Sequence, residues 1–131
     1  MMKPKYAFPV AVLATLGLSA CMAYAAPEGI GKRDTALGEV LTDASGMTLY
    51  IFDKDVDGVS ACYAQCAVNW PPVLASANAM ADDDFGLTKR NDGTMQWTYY
   101  GMPLYLWIND AKPGDTTGDG VGGVWHVALE Q

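Results

Sequence analysis

Residues 46–55 read GMTLYIFDKD, and residues 101–110 read GMPLYLWIND. The two segments are the centre of a longer match, because residues 38–75 can be laid over residues 93–130 without a gap at a constant offset of 55. Eight of the 38 aligned positions are identical, including the Gly-Met, Leu-Tyr and Asp positions of the two segments. Self-similarity at a fixed spacing indicates a duplicated folding unit. We therefore expect a domain built from two pseudo-repeats.

The repeated segment carries a motif of tyrosine, a second aromatic residue and aspartate: Tyr50, Phe52 and Asp55, then Tyr105, Trp107 and Asp110. Three further elements accompany it, namely CYAQCAVNWPP at residues 62–72, Asp92-Gly93 and Trp125-His126. The chain resembles the bacterial secreted-repeat lipoprotein family, whose signature is a repeated Tyr-x-(Phe/Trp/Tyr)-x-x-Asp. The resemblance implies an exported protein of the cell envelope. It implies no particular reaction, because the family is known by its motif and its export signal.

The amino terminus has the pattern of an export signal. Two lysines at positions 3 and 5 precede an apolar stretch, residues 7–20, that is too short to span a bilayer comfortably. Leu18-Ser19-Ala20-Cys21 fits a lipobox, which would make Cys21 the acylated first residue, whereas Ala23-Tyr24-Ala25 fits ordinary signal peptidase. We expect residues 1–25, or 1–20 if the lipobox is used, to be an export signal. The protein is then periplasmic, anchored to the outer membrane through a lipid on Cys21, or alternatively soluble in the periplasm or secreted.

Two cysteines, Cys62 and Cys66, remain once Cys21 is acylated or removed. In an oxidising compartment two cysteines four residues apart are expected to pair, and one helical turn brings their Cα atoms within disulfide range. A structural disulfide is one interpretation. The alternative is a redox-active or metal-binding dithiol, although redox pairs usually have two intervening residues and this pair has three.

Composition limits the partners. Loss of Lys3 and Lys5 with the signal changes the formal net charge from −7 to −9. Such an acidic chain is not expected to bind nucleic acid or anionic lipid headgroups, so the predicted partner is an envelope protein or a small ligand. Residues 26–35, with a proline and two glycines, predict a flexible tether. Residues 36–131 are long enough for a single domain with one core.

The domain is predicted to be all-β, a small sandwich or barrel. Short runs rich in β-branched and aromatic residues are bounded by Gly, Asp, Asn or Pro. The six expected strands are Glu39–Thr42, Met47–Phe52, Gly86–Lys89, Met95–Tyr100, Pro103–Ile108 and Val124–Leu129. Residues 43–46 and 99–101 are expected to close equivalent hairpins. One short helix over Ser60–Ala67 is expected to carry both cysteines, with Pro71-Pro72 preventing its continuation. Residues 75–84 are the expected connector, and residues 110–123 a long loop.

Both faces of the motif strand are apolar. Leu49 and Ile51 alternate with Tyr50 and Phe52, and the second copy repeats this alternation. Such a strand is either buried on both sides, with its aromatic residues against Trp70 and Trp125, or presents them as a ligand-stacking platform. The motif aspartates come at strand ends, where a carboxylate is expected to accept backbone N–H groups.

Two metal sites are conceivable. Asp53, Asp55 and Asp57 reproduce the D-x-D-x-D-G half of a calcium loop, but Ala64 stands where that loop needs a bidentate Glu. We therefore expect at most a weak calcium site there.

Copper is the other metal considered. His126, the only histidine, could bind copper together with a methionine such as Met47, Met95 or Met102. A histidine with an ordinary place in a strand is the alternative.

The chain contains no nucleophile elbow, phosphate loop, dinucleotide fingerprint or haem-attachment motif. We therefore expect no enzyme activity and no resident cofactor. The predicted function is that of an exported binding or accessory module of the cell envelope. The alternatives are a weak periplasmic metal-binding protein, through calcium at the acidic turn or copper at His and Met, and a redox-active dithiol protein.

Overall fold

A computed structural model describes residues 26–131, so the export signal, the lipobox and the lipidation site at Cys21 lie outside the described residues. These residues form three small antiparallel sheets with the strand orders β1-β2, β3-β7 and β4-β5-β6. The strands are β1 Ile30–Thr35, β2 Gly38–Asp43, β3 Tyr50–Phe52, β4 Phe85–Lys89, β5 Met95–Tyr99, β6 Met102–Pro103 and β7 Trp125–Val127. One helix, α1 Gln65–Asn69, and a single 3₁₀ turn at Val121–Gly123 complete the fold. The prediction of an all-β domain with one short helix is confirmed.

The predicted tether is a strand over more than half of its length. All six residues of β1, Ile30–Thr35, pair in antiparallel register with β2, from Ile30 opposite Asp43 to Thr35 opposite Gly38. Ile30 is buried in the core and anchors this strand. The proline and glycines that indicated flexibility form only the turn before it, where Ile30 N–H donates to Pro27 C=O at 3.0 Å.

The two copies fold as equivalent units around an approximate two-fold axis. Tyr50 and Tyr105 face each other across it, since each donates its backbone N–H to the other's carbonyl, at 2.8 and 3.0 Å. A second pair of equivalent bonds lies further out. Leu41 N–H donates to Ala128 C=O at 2.9 Å, and Trp97 N–H donates to Val73 C=O at 2.9 Å. Duplication of the chain therefore corresponds to duplication of the structure.

The hairpin bonds show that the gapless alignment is wrong by one residue in the strand before the motif. Leu49 N–H donates to Leu41 C=O, whereas Leu104 N–H donates to Trp97 C=O, one residue closer in sequence. Leu41 and Trp97 are thus equivalent at an offset of 56. The extra residue lies in the first turn, and both turns place a glycine, Gly46 or Gly101, at positive φ.

Each copy is completed by the last strand of the other. In the first half β3 pairs with β7, which places Ile51 opposite His126. The equivalent contact in the second half joins Leu106 N–H to Pro71 C=O at 2.7 Å. Neither repeat therefore contains all the strands of its own half.

The motif strands are buried on both faces, as their apolar alternation predicted. One face contributes Leu49 and Leu104, both fully buried, to an aliphatic and aromatic core with Leu41, Phe85 and Trp97. The opposite face forms a second core whose buried members are Val40, Tyr50, Cys62, Trp70, Tyr105, Trp125 and Val127. The single core expected from the chain length is thus divided into two by the central strands.

The helix begins later than predicted. It covers Gln65–Asn69, so that only Cys66 is helical, and Ala64 at its start has a positive φ of 53°. A side chain in this left-handed conformation interrupts the expected turn from Ser60. Cys62 and Cys66 nevertheless form a disulfide, with their Cα atoms 5.2 Å apart.

Candidate functional site

The motif tyrosines and aspartates exchange partners between the copies. The Tyr50 hydroxyl donates to Asp110 Oδ2 at 2.6 Å, and the Tyr105 hydroxyl donates to Asp55 Oδ2 at 2.7 Å. The other carboxylate oxygen caps a turn in its own copy. Ala61 N–H donates to Asp55 Oδ1 at 2.7 Å, and Thr117 N–H donates to Asp110 Oδ1 at 3.0 Å. The predicted capping role of both aspartates is confirmed.

In both pairs the tyrosine hydroxyl donates the hydrogen bond and the aspartate carboxylate accepts it. Burial raises the pKa of the Tyr50 and Tyr105 hydroxyls well above its usual value, and the adjacent aspartates raise it further. Burial also raises the pKa of Asp55, against the opposing effects of Ala61 N–H, the Tyr105 hydroxyl and the charge of Arg90. Because both tyrosines remain protonated, they act as fixed donors between the repeats.

Four aromatic rings form a continuous stack across the two-fold axis. Trp70 and Trp125 lie at its centre, with centroids 3.8 Å apart and planes within 3°. Phe52 stacks on Trp125 at 4.0 Å, and Trp107 stacks on Trp70 at 3.9 Å. The central rings are buried and the outer rings are half-buried. Burial of the motif aromatics against Trp70 and Trp125, the first of the two interpretations, is confirmed.

A buried arginine organises the segment that leads into the disulfide. Arg90 is 5 % exposed and donates to Ser60 Oγ at 3.0 Å, to Gln96 Oε1 at 2.8 Å and to the Cys62 carbonyl at 2.8 Å. Its guanidinium also lies 4.4 Å from the centre of the Tyr63 ring. The sequence analysis missed this residue and its partners. Its only signal was a basic residue directly after the strand predicted over Gly86–Lys89, next to the Asp92-Gly93 turn.

The three aspartates of the predicted calcium site do not converge. Asp55 turns inward to Tyr105, whereas Asp53 bonds His126 Nε2 through its Oδ2 at 2.8 Å. Asp57 lies in a tight turn with a positive φ of 53°. Within residues 26–131, no three histidine, cysteine, aspartate or glutamate side chains are placed to hold a metal ion. The three side chains are therefore not placed together for one ion, because Asp55 is bonded to the tyrosine of the other repeat.

His126 lies in β7, as the strand interpretation predicted, and borders a cleft. The cleft has a volume of about 490 Å³ and is lined mainly by apolar side chains. Its lining residues are Ile51, Tyr99, Met102, His126, Val127, Ala128, Leu129, Glu130 and Gln131. Of the three methionines considered as copper ligands, Met102 is the one that lines it. His126 and Met102 therefore line the same cleft and Asp53 is bonded to His126, whereas Met47 and Met95 do not line it.

A second cleft, of about 500 Å³, lies beside the connector and the turn before β1. Val73 and Leu74 line it in positions equivalent to Ala128 and Leu129 of the first cleft. The position equivalent to His126 is Pro71, and the position equivalent to Asp53 is Ile108. The polar pair is therefore specific to the cleft at β7.

Comparison with known families identifies the chain. A family model described as a secreted repeat of unknown function matches twice, at residues 32–74 and 86–129. The chain belongs to this secreted-repeat family. The matches begin within β1 and β4, the first strands of the two hairpins. They end where the chain pairs with the other copy, at the isolated bridges of Pro72 and Leu74 and just after β7.

Membership makes the chain an exported protein, as the sequence indicated. Among the described residues, no helix has the length and apolar character needed to cross a bilayer. Searches of curated proteins and of solved structures gave no match.

Proposed function

We propose that this secreted-repeat protein is a non-enzymatic binding module of the cell envelope, held at the outer membrane by a lipid on Cys21. The observation that carries the proposal is the cleft at β7. It is concave and mostly apolar, and it has few polar groups, which is the usual character of a ligand site. The motif tyrosines and aspartates are occupied in joining the repeats, so they do not offer their polar groups to a ligand.

The ligand is a small molecule or ion that is neutral or positively charged. Glu130 lines the cleft, and Asp53 stands at its edge beside His126. The chain after residue 25 has a net charge of −9, so an anionic ligand would meet unfavourable charge over most of the surface.

The test is an NMR screen of the mature exported protein with a set of small neutral and cationic compounds. Hits should shift signals of Ile51, Met102 and Val127 together, and Leu129→Lys should weaken them by tenfold or more. Leu129 is 45 % exposed, so the fold should tolerate the lysine. Leu74→Lys is the matched control, because Leu74 is the equivalent residue of the other cleft and is 53 % exposed. Hits that spread over the surface, or that respond equally to both variants, would refute the proposal.

Metal binding is a second candidate function, favoured by one observation. His126 and Met102 line the same cleft, and imidazole and thioether are both ligands of copper.

A further inference from the structure

The disulfide belongs to only one of the two copies. Cys62 and Cys66 have no cysteine counterpart in the second copy, where the loop over residues 110–123 follows the motif instead. The bond closes a ring with a sequence separation of 4, and the benefit of cross-linking the unfolded chain decreases as the closed loop becomes shorter. Constraint of the unfolded chain therefore protects this bond against reduction less than it would protect a long-range disulfide.

The chain between the two cysteines is held in an unfavourable conformation. Ala64 has φ 53° and ψ −127°, a combination that residues with a side chain rarely adopt. Ala64 lies inside the ring that the disulfide closes, so opening the ring allows its backbone to relax. Strained or exposed disulfides are reduced more readily than relaxed and buried ones. The backbone at Ala64 therefore favours reduction.

The two cysteines differ in their access to solvent. Cys62 is fully buried, whereas Cys66 is partly exposed. Ala64 and Gln65, which precede Cys66, are exposed as well. Access decides which sulfur of a disulfide an incoming thiolate attacks. Attack is thereby directed to Cys66 Sγ, with Cys62 Sγ as the leaving atom.

A buried positive charge lies beside the residue of the leaving sulfur. The three groups that accept hydrogen bonds from Arg90 are all neutral, and one of them is the Cys62 carbonyl at 2.8 Å. A nearby cation stabilises a thiolate, and a thiol of lower pKa leaves faster. Another of the three, Ser60 Oγ, also accepts the Cys62 N–H at 3.1 Å. Arg90 therefore favours the departure of Cys62 as a thiolate and holds its backbone in place when the bond opens.

The helix that carries Cys66 depends on the disulfide for its attachment. α1, Gln65–Asn69, contains no buried residue. It is joined to the domain by the disulfide and by the Ile108 N–H, which donates to the Asn69 carbonyl at 3.0 Å. The next residue, Trp70, belongs to the aromatic stack and donates its backbone N–H to the Cys66 carbonyl at 2.7 Å. Opening of the disulfide therefore loosens the helix directly beside the Trp70 ring.

We propose that the Cys62–Cys66 disulfide is a redox-active site, reduced by the dithiol of an exported thiol–disulfide oxidoreductase. One thiolate of that dithiol attacks Cys66 Sγ, the bond to Cys62 Sγ breaks, and its electron pair leaves with Cys62 Sγ as a thiolate. The second thiolate of the oxidoreductase then displaces Cys66 from the mixed disulfide. The protein gains two electrons and the two protons of the dithiol, and the oxidoreductase keeps the new disulfide.

The consequence of reduction is a looser aromatic stack at the join between the repeats. Trp70 stacks on both Trp125 and Trp107, with ring centroids 3.8 and 3.9 Å apart. The redox state of the two cysteines is thereby transmitted to the centre of the domain. Residues 60–70 do not line the cleft at β7, so this site is separate from the proposed ligand site.

The test is equilibration of the mature protein with reduced and oxidised thioredoxin as the dithiol probe. Free thiols are alkylated and counted by mass spectrometry, and circular dichroism in the near and far ultraviolet records tryptophan packing and the fold. Excess reduced thioredoxin should reduce the disulfide at least about tenfold faster than the protein unfolds. The near-ultraviolet signal should fall on reduction, whereas the far-ultraviolet signal should remain.

Matched variants separate the steps. Cys62→Ser leaves the accessible Cys66 thiol and should form a mixed disulfide with oxidised glutathione at least about tenfold faster than Cys66→Ser, which leaves the buried thiol. Ala64→Gly removes the strain of the closed ring and should shift the equilibrium with thioredoxin about fivefold toward the disulfide. Ala61→Gly is the control, because Ala61 is exposed, lies just outside the ring and has no positive φ. It should leave the equilibrium unchanged.

Reduction that occurs only as the protein unfolds would overturn the redox site. Equal rates in the two serine variants would overturn the attack at Cys66, and equal shifts in the two glycine variants would overturn the contribution of Ala64. An unchanged near-ultraviolet signal in fully reduced protein would overturn the link to the aromatic stack. Binding of small compounds at the β7 cleft is measured independently, so failure of this inference leaves the proposed function standing.

Discussion

Removal of one hydroxyl group, in Tyr50→Phe, tests whether the motif joins the two repeats. The Tyr50 hydroxyl has two partners, since it donates to Asp110 Oδ2 at 2.6 Å and accepts from Gly118 N–H at 3.2 Å. Tyr50 is fully buried and Asp110 is 8 % exposed, so water cannot readily replace the lost group. Phenylalanine keeps the ring in place between Trp70 and its other neighbours.

The expected cost follows from these partners. A hydrogen bond to a charged group contributes roughly 1.5–3 kcal/mol, and a buried group left without its partner is at the upper end of that range. We expect Tyr50→Phe to lower the free energy of unfolding by about 2–3 kcal/mol at pH 7. For a domain of this size that corresponds to a fall in melting temperature of about 10 °C.

Urea unfolding followed by tryptophan fluorescence gives the measurement. Tyr105→Phe should cost about the same, because Tyr105 makes the equivalent bond to Asp55. Tyr100→Phe is the matched control, since Tyr100 pairs with Asp84 at the exposed surface and its loss should leave the stability nearly unchanged. If the free energy of unfolding of Tyr50→Phe lies within about 0.5 kcal/mol of the wild-type value, the cross-repeat bonds do not hold the halves together.

Further outcomes are expected at other positions. Stability should fall as the pH rises above 10, because the unfolded chain releases the protons of Tyr50 and Tyr105 near their ordinary pKa of 10.0 whereas the folded protein retains them; Tyr50→Phe should make the fall shallower in alkaline urea titrations. Cys62→Ala should lower stability by about 2 kcal/mol without loss of the fold, and alkylation of native, non-reduced protein should detect no free thiol. Gly118→Ala should cost about 1–3 kcal/mol in thermal melts, since a Cβ there would lie 2.8 Å from the Tyr50 ring, and native-like stability would contradict the close packing. Cys21→Ser should move the protein from the detergent phase to the aqueous phase, whereas a mature amino terminus at Ala26 would exclude the anchor.

Features set by local pattern could be predicted from the sequence. The strands around Val40, Tyr50 and Trp97 were located because β-branched and aromatic residues between turn formers indicate strands. The disulfide could be predicted because two cysteines remain besides Cys21 and the expected compartment is oxidising. The capping of turns by Asp55 was predictable because it joins groups six residues apart.

Features that depend on the path of the chain between distant segments could not be predicted. The tyrosine partner of Asp55 is 50 residues away in the other copy, and no local pattern distinguishes it from the tyrosine of the same copy. Arg90 was overlooked for the same reason, since its three hydrogen-bond partners come from two separate segments. The tether prediction was wrong because pairing with β2 stabilises β1 in spite of its glycine.

The exchange of partners indicates where function should be sought. A motif tyrosine and aspartate of one copy bond the aspartate and tyrosine of the other, so the repeated residues are explained by the union of the two halves. Chemistry particular to this protein must then come from positions at which the copies differ. Asp53 and His126 are such positions, since their equivalents in the other copy are Ile108 and Pro71. The two side chains are bonded to each other at the edge of a cleft. The asymmetry between the repeats therefore selects the β7 cleft over the aromatic stack as the candidate site, although the stack contains the more prominent residues of the sequence.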